Sequence, residues 1–205
     1  MSIKKVDMSS LTVETDDGLV LKLFDHEYWT LLPTQPIELS ESNTRSALRS
    51  GIVAHNIKIG KGLALAMDDL LQGISPKYAG GGQRQAAEEA LEQARRPWHQ
   101  DKPSRLRCHY LFYNKSTAKQ KQLEWRMDDR FLTRCYLVLN SGRFHHADLE
   151  IFEALSNQPE NTDLAANYWK TFRPTNAEER ARLEVLADSC LYFPDWSTIP
   201  TIPVR

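Results

Sequence analysis

The residues best suited to chemistry are gathered in one run, Pro103-Ser104-Arg105-Leu106-Arg107-Cys108-His109-Tyr110-Leu111-Phe112-Tyr113. Its aromatic and aliphatic side chains fit a pleated, half-buried surface, so Arg105 to Tyr113 is predicted as a strand. Alternation then puts Leu106, Cys108, Tyr110 and Phe112 on one face, and Arg105, Arg107, His109, Leu111 and Tyr113 on the other. Such a strand can be anchored in a core while its cationic groups line a cleft for an anionic ligand. The competing reading is a strand with one solvated face, because basic side chains are mostly exposed.

Three other clusters invite chemical readings. His145-His146-x-Asp148 is metal-like in composition. Adjacent histidines on a strand point to opposite sides, though, and no second ligand pair accompanies them, so no metal site is expected. Cys108 and His109 likewise face apart, so a thiol nucleophile would need a histidine brought in from elsewhere. Gly60-Lys61-Gly62 lacks the spacing and the Lys-Ser/Thr ending of a phosphate loop. The polar-aromatic stretch Asp25-His26-Glu27-Tyr28-Trp29-Thr30 suits a site loop, while Tyr28 and Trp29 also suit a core.

These groups must be held by short elements. Leu11–Thr15 and Leu19–Phe24, joined across Asp16-Asp17-Gly18, predict a hairpin. Pro33 to Pro36 breaks the pattern. A short helix over 44–49, capped by Ser42 or Asn43 and closed by Gly51, would precede a strand over 52–59 and a helix over 63–71. Gly80-Gly81-Gly82 is a break before a surface helix over 83–96 with a thin stripe of Ala87, Leu91 and Ala94. Ser116 would cap a helix to about Met127, and 131–139 is the clearest strand. Arg143 to Ile151 follows, then short helices over 152–155 and one capped by Asp163. Pro174 and Asn176 mark a loop, and strands cover 182–187 and 189–193. This irregular mixture predicts an α+β fold rather than a doubly wound one. A single domain is expected, with residues 1–10 a flexible tail and 194–205 an extended one.

Composition narrows the function classes. The chain has 205 residues, 41% hydrophobic, with 26 basic and 27 acidic side chains and a formal net charge of −1, so no basic footprint for nucleic acid is present. No apolar run is long enough to span a membrane. The N-terminus lacks a signal peptide's apolar stretch, which leads to a cytoplasmic expectation that still allows signal-peptide-independent export. Cys108, Cys135 and Cys190 are too scattered for a zinc pattern and read as reduced core thiols.

Ser104-Arg105-Leu106 with Tyr110-Leu111-Phe112, then Cys135-Tyr136-Leu137-Val138-Leu139, Gly142, Asp148, Asn167-Tyr168-Trp169 and Leu183-Glu184-Val185-Leu186 resemble the bacterial families with an ADP-ribosyltransferase-like fold. The resemblance covers roughly residues 100–193. It implies a split β-sandwich gripping NAD in a central cleft and transferring ADP-ribose to a macromolecular acceptor, as a toxin, effector or phage-encoded modifier would. Carried over by position, His26 would hold the dinucleotide and Ser104 with Arg105 would shape the nicotinamide pocket. Arg105 or Arg107 would meet the pyrophosphate, Tyr110 or Trp169 would stack on a ring, and Glu184 would contact the ribose. The family's Gly-Thr after the early histidine, its Ser-Thr-Ser run and its Glu-x-Glu pair are absent; here Glu27-Tyr28 and Arg182 stand in the first and last of those places. Two rivals remain: a non-catalytic protein-binding module with an exposed apolar patch, and a small hydrolase whose cysteine meets a histidine. The first reading requires His26, Ser104, Arg105 and Glu184 to converge on one cleft.

Overall fold

Short alternating runs pair into two antiparallel sheets in the computed structural model, which describes residues 1–33, 44–70 and 82–200. The small sheet holds β1 (Ile3–Asp7), β2 (Thr12–Thr15) and β3 (Val20–Lys22) in that order. The turn at Gly18, with φ of +84°, closes the expected hairpin between β2 and β3. Residues 1–10 are therefore not a loose tail: β1 pairs with β2 and buries Ile3.

The large sheet is built from β4 (Tyr28–Pro33), β5 (Leu63–Ala64), β6 (His109–Phe112), β7 (Arg130–Leu137), β8 (Arg143–Asp148), β9 (Leu183–Asp188) and β10 (Leu191–Tyr192). Its order is β5-β10-β7-β4-β6-β9-β8, and every paired neighbour is antiparallel. A bridge from Leu23 to Val138 ties the small sheet to the end of β7. The α+β expectation matches this arrangement.

Both faces of the large sheet are covered. Helix α1 (Thr44–Ile59) places Val53 and Ile57 on one face, against Tyr28, Leu32, Leu111, Cys135, Val185 and Phe193. On the opposite face lie α3 (Gln83–Trp98), α5 (Leu149–Asn157) and α6 (Thr162–Tyr168), packing Leu91, Phe152, Leu155, Tyr168 and Trp169 onto Cys108 and Leu186. Strand β9 is consequently buried at every position. Helices α2 (Met67–Leu70), α4 (Lys115–Glu124) and α7 (Ala177–Arg182) complete the chain.

Several boundaries differ from the sequence reading. Residues 52–59 continue α1 instead of forming a strand, because Val53 and Ile57 sit one helical turn apart and enter the core together. Residues 63–70 divide into β5 and α2, and Leu71 lies outside the described residues. Asn114 caps α4 and Asn161 caps α6, in place of Ser116 and Asp163. Asn176 caps α7 where a loop was expected. The C-terminal stretch is not simply extended: Trp196–Thr198 makes a 3-10 turn and Ile199 enters the core. The proposed caps Ser42 and Asn43, the break at Pro36, Gly80 and Gly81, and residues 201–205 lie outside the described residues. Gly60-Lys61-Gly62 is the reversal from α1 into β5: Gly62 has φ of +100°, and a Cβ there would meet the Phe193 carbonyl at 2.5 Å.

Candidate functional site

The sheet forks between β4 and β6. Only Trp29 and Phe112 pair across that boundary. Beyond them β4 follows β7 through six pairs and β6 follows β9 through four, so the two strands part company. One side-chain bond still spans the fork, from Thr30 Oγ1 to the Tyr110 carbonyl at 2.9 Å. A cavity of about 230 Å³ occupies the fork. Thr30, Leu32 and Leu111 wall it on the α1 side, and Cys108, Tyr110, Phe112, Phe152, Arg105 and Glu184 on the other.

Arg105 arrives there by a turn, not on a strand. Pro103 and Ser104 precede a 3-10 turn over Arg105–Arg107, in which Ser104 Oγ accepts from Leu106 N at 3.3 Å. The strand therefore begins only at His109, and the predicted alternation fails before it. The turn rolls Arg105 inward, over the rings of Phe152 at 4.1 Å and Tyr110 at 5.0 Å, on the same side as Tyr110. Tyr110 Oη donates back to the Arg105 carbonyl at 2.5 Å, fixing the turn against the strand.

The guanidinium is the hub of a buried network. Nε donates to Glu88 Oε2 at 2.9 Å and Nη2 to Glu88 Oε1 at 3.1 Å. Nη1 is shared between Glu184 Oε2 and Tyr168 Oη. Tyr168 Oη in turn donates to Glu184 Oε2 at 2.6 Å. Arg105, Glu88 and Glu184 are all sealed, with side chains 5%, 1% and 7% exposed. Burial works against the Arg105 charge, but Glu184 and Glu88 outweigh it and hold the guanidinium protonated, above its ordinary range. Burial, joined by the charge of Glu184, pushes the Tyr168 phenol well up, so it stays a donor. The hydrogen bonds that Glu184 receives among the described residues go to Oε2 and not to Oε1.

The five residues singled out by sequence separate into two groups. Arg105, Tyr110 and Glu184 wall the same cavity. Ser104 does not: its hydroxyl donates to Glu92 Oε2 at 2.9 Å, within a cluster that Arg95 and Arg96 complete. His26 is elsewhere too, stacked on Tyr113 with centroids 4.0 Å apart and bonded through Nε2 to the Tyr113 carbonyl at 3.0 Å. The convergence required of all four residues is thus met by Arg105 and Glu184 alone. Arg105 has given its donors to carboxylates and a phenol, which leaves it no fork for a pyrophosphate. Trp169 is core, its Nε1 donating to the Leu91 carbonyl at 2.9 Å.

Sequence reasoning missed Glu88, Tyr168 as a phenol donor, and Arg130. Glu88 was legible only as a carboxylate next to the apolar stripe of Ala87 and Leu91. Arg130 lines the cavity with a buried Nε that makes no hydrogen bond; Asp129 stands 3.6 Å away. Arg84, on α3, also lines the cavity and is exposed.

The remaining clusters resolve as structure. His145 and His146 point to opposite faces, His145 toward Tyr168 and Trp169 and His146 toward Phe144. Among the described residues no group of three metal-ligating side chains forms, and no hydrogen bond joins a cysteine to a histidine. No helix among the described residues is long and apolar enough to cross a membrane.

No curated protein matches the chain. The model of a family described as proteins of unknown function, DUF2441, matches residues 24–189, a span that holds the fork, the cavity and every member of the Arg105 network, and the chain belongs to that family.

Proposed function

We propose that the fork cavity is the ligand site of an ADP-ribosyltransferase-like protein that uses NAD, with Glu184 as its central carboxylate. One observation carries this reading. Glu184 is anchored through Oε2 by Arg105 and Tyr168, while its Oε1 is uncommitted, on the wall of a cavity that opens where the sheet splits. A carboxylate held so can face a sugar without reorganising.

The chemistry is a glycosidic cleavage. The bond from ribose C1 to the pyridinium nitrogen breaks, and the electron pair leaves with nicotinamide. Positive charge develops on the sugar, as in glycoside hydrolysis, and Glu184 Oε1 faces it. An acceptor nucleophile, on a protein in this reading, bonds to C1 and releases a proton. Arg105 orients Glu184 and does not touch the pyrophosphate. Arg84 and Arg130 are the further cations of the lining. Tyr110, Phe112, Trp125 and Phe152 supply aromatic wall.

A second reading draws on a different observation. The Arg105 hub also crosslinks α3, α6 and β9, which is what a structural ion network does in a non-catalytic binding module. Trp98, 81% exposed at the end of α3, is the most exposed large apolar side chain described.

Nicotinamide release and NAD binding decide between them, with Glu184→Gln as the control. Release by the parent and its loss by about 10²-fold or more in the variant supports the transferase reading. A parent that neither binds NAD nor releases nicotinamide, with or without a protein acceptor mixture, overturns it in favour of the module.

A further inference from the structure

We infer that the fork cavity binds a small organic anion, a carboxylate carried on a compact apolar body, and that Arg130 holds the carboxylate. Such a ligand goes beyond the NAD reading and does not depend on it. Arg130 opens β7 and lines the cavity. Its Nε is buried and finds no hydrogen-bond acceptor among the described residues. A buried N–H without an acceptor is unfavourable, and a native fold that keeps one calls for a physical reason. The carboxylates at hand do not satisfy it. Asp129 stands 3.6 Å from Nε, beyond hydrogen-bond reach, and its side chain is 53% exposed. Glu184 is held by Arg105 and Tyr168. Glu153 is exposed, with Lys121 at 3.9 Å.

The backbone fixes Arg130 before any ligand arrives. Arg130 N donates to the Met127 carbonyl at 3.0 Å, and Gln122 Nε2 donates to the Arg130 carbonyl at 2.7 Å. On the β4 side it pairs with Pro33. A guanidinium so placed can meet a carboxylate through two parallel N–H bonds, with Nε as one of the donors. Arg105 does not serve, because its donors go to Glu88, Glu184 and Tyr168. Arg84, exposed on the same lining, adds attraction for an anion. The rest of the wall asks for an apolar body: Leu31, Leu32, Val53, Phe112, Met127 and Leu149 all line it. An apolar cavity of about 150 Å³ takes up benzene, so about 230 Å³ has room for one ring with a short side chain. A bare inorganic anion would leave these walls unfilled, and a neutral hydrocarbon would leave Nε unmet.

The probe is 3-phenylpropanoate, and its control is 3-phenylpropanamide, of the same shape without the charge. Calorimetry on the full chain near neutral pH, where the acid is ionised, is expected to show the carboxylate bound about tenfold more tightly or better. Arg130→Gln brings the two to parity, and Arg130→Lys restores part of the preference. Location is read separately. The chain has four methionines: Met67 and Met127 line the cavity, while Met1 and Met8 lie in the N-terminal segment. With methyl-labelled methionine, the probe should shift the Met67 and Met127 NMR signals and leave Met1 and Met8 unmoved. Equal binding, a preference for the amide, no binding of either, or shifts that miss Met67 and Met127 overturns the inference on the parent protein alone. A preference that persists in Arg130→Gln overturns it as well. Failure of the transferase reading looks different. A parent that binds the probe beside Met67 and Met127 yet neither binds nor cleaves NAD sinks the transferase and keeps the carboxylate site. NAD cleavage without probe binding does the reverse.

Discussion

Arg105 holds Glu88 by both carboxylate oxygens, at 2.9 and 3.1 Å, in a contact that joins the turn before β6 to the inner face of α3. Removing the guanidinium strands two buried carboxylates at once. Arg105→Met is therefore expected to lower stability by about 3–5 kcal/mol, the range for breaking a buried ion pair from one side. Arg105→Lys should recover only part of that, because an ammonium cannot make the paired bonds to Glu88. Urea unfolding of the three proteins checks both statements, and a loss below ~1 kcal/mol for the methionine variant would deny the network its structural role.

Thr30 makes a narrower prediction. Its hydroxyl bonds the Tyr110 carbonyl at 2.9 Å across the fork, where the backbone no longer pairs. Thr30→Val keeps the shape and leaves that carbonyl without its donor. The expected loss is about 1–2 kcal/mol. Amide exchange should quicken at Tyr110 and Leu111 while β7 is unchanged. Uniform quickening across the sheet would show that the bond serves the whole fold and not the fork.

The parts legible in the sequence were those set by local pattern. Phe131 to Leu139 is dense in strand-forming residues and became β7; Asp16-Asp17-Gly18 gave the turn of the hairpin; Ala87 and Leu91 marked the buried stripe of α3. What failed depended on partners far away in the chain. Residues 1–10 send only Ile3 and Val6 into a core, and Ile3–Asp7 becomes a strand because β2 pairs with it. Arg105 reads as strand by composition, yet Ser104 caps a turn there, and that turn carries the guanidinium from the face opposite Tyr110 to the side that Tyr110 shares, where it is buried. Glu88 sits among Glu89 and Glu92 in a helix full of charge, and nothing local distinguishes it. Its meaning comes from Arg105 and, through Arg105, from Glu184.

The cysteines predict a labelling pattern. Burial pushes the Cys108 and Cys135 thiols well up from their ordinary range, and both are sealed. Cys190 is half-buried and also raised by burial. At pH 7.5 a thiol reagent is expected to leave Cys108 and Cys135 untouched and to label Cys190 slowly, with all three reacting in urea. Rapid labelling of Cys108 in the native protein would mean that the cavity floor opens far more readily than its burial implies.

His145 gives the protein a sensitivity to acid. Its Nε2 bonds the Tyr168 carbonyl at 3.1 Å, its Nδ1 is buried without a partner, and its ring stacks on Trp169 at 5.5 Å. Burial lowers its pKa to about 4, against the backbone bond to Tyr168, which raises it. The unfolded chain takes up the proton near the ordinary value of 6.5, the folded chain only near 4, so protons bind the unfolded state first. The stability His145 contributes is therefore complete above pH 6.5 and is lost as pH falls toward 4. Across the whole interval the loss is about 3 kcal/mol. His146, lowered by burial and by His26, adds a loss of the same sign. Unfolding free energies measured from pH 7.5 down to 4.5 should fall steadily, and His145→Gln should flatten much of that slope while costing stability at pH 7.5. The side chain to watch is Tyr168. Its carbonyl receives the His145 bond and its phenol anchors Glu184 Oε2, so acid that loosens His145 also loosens the carboxylate at the fork. A slope as steep in His145→Gln as in the parent would move the acid sensitivity to other groups and break that connection.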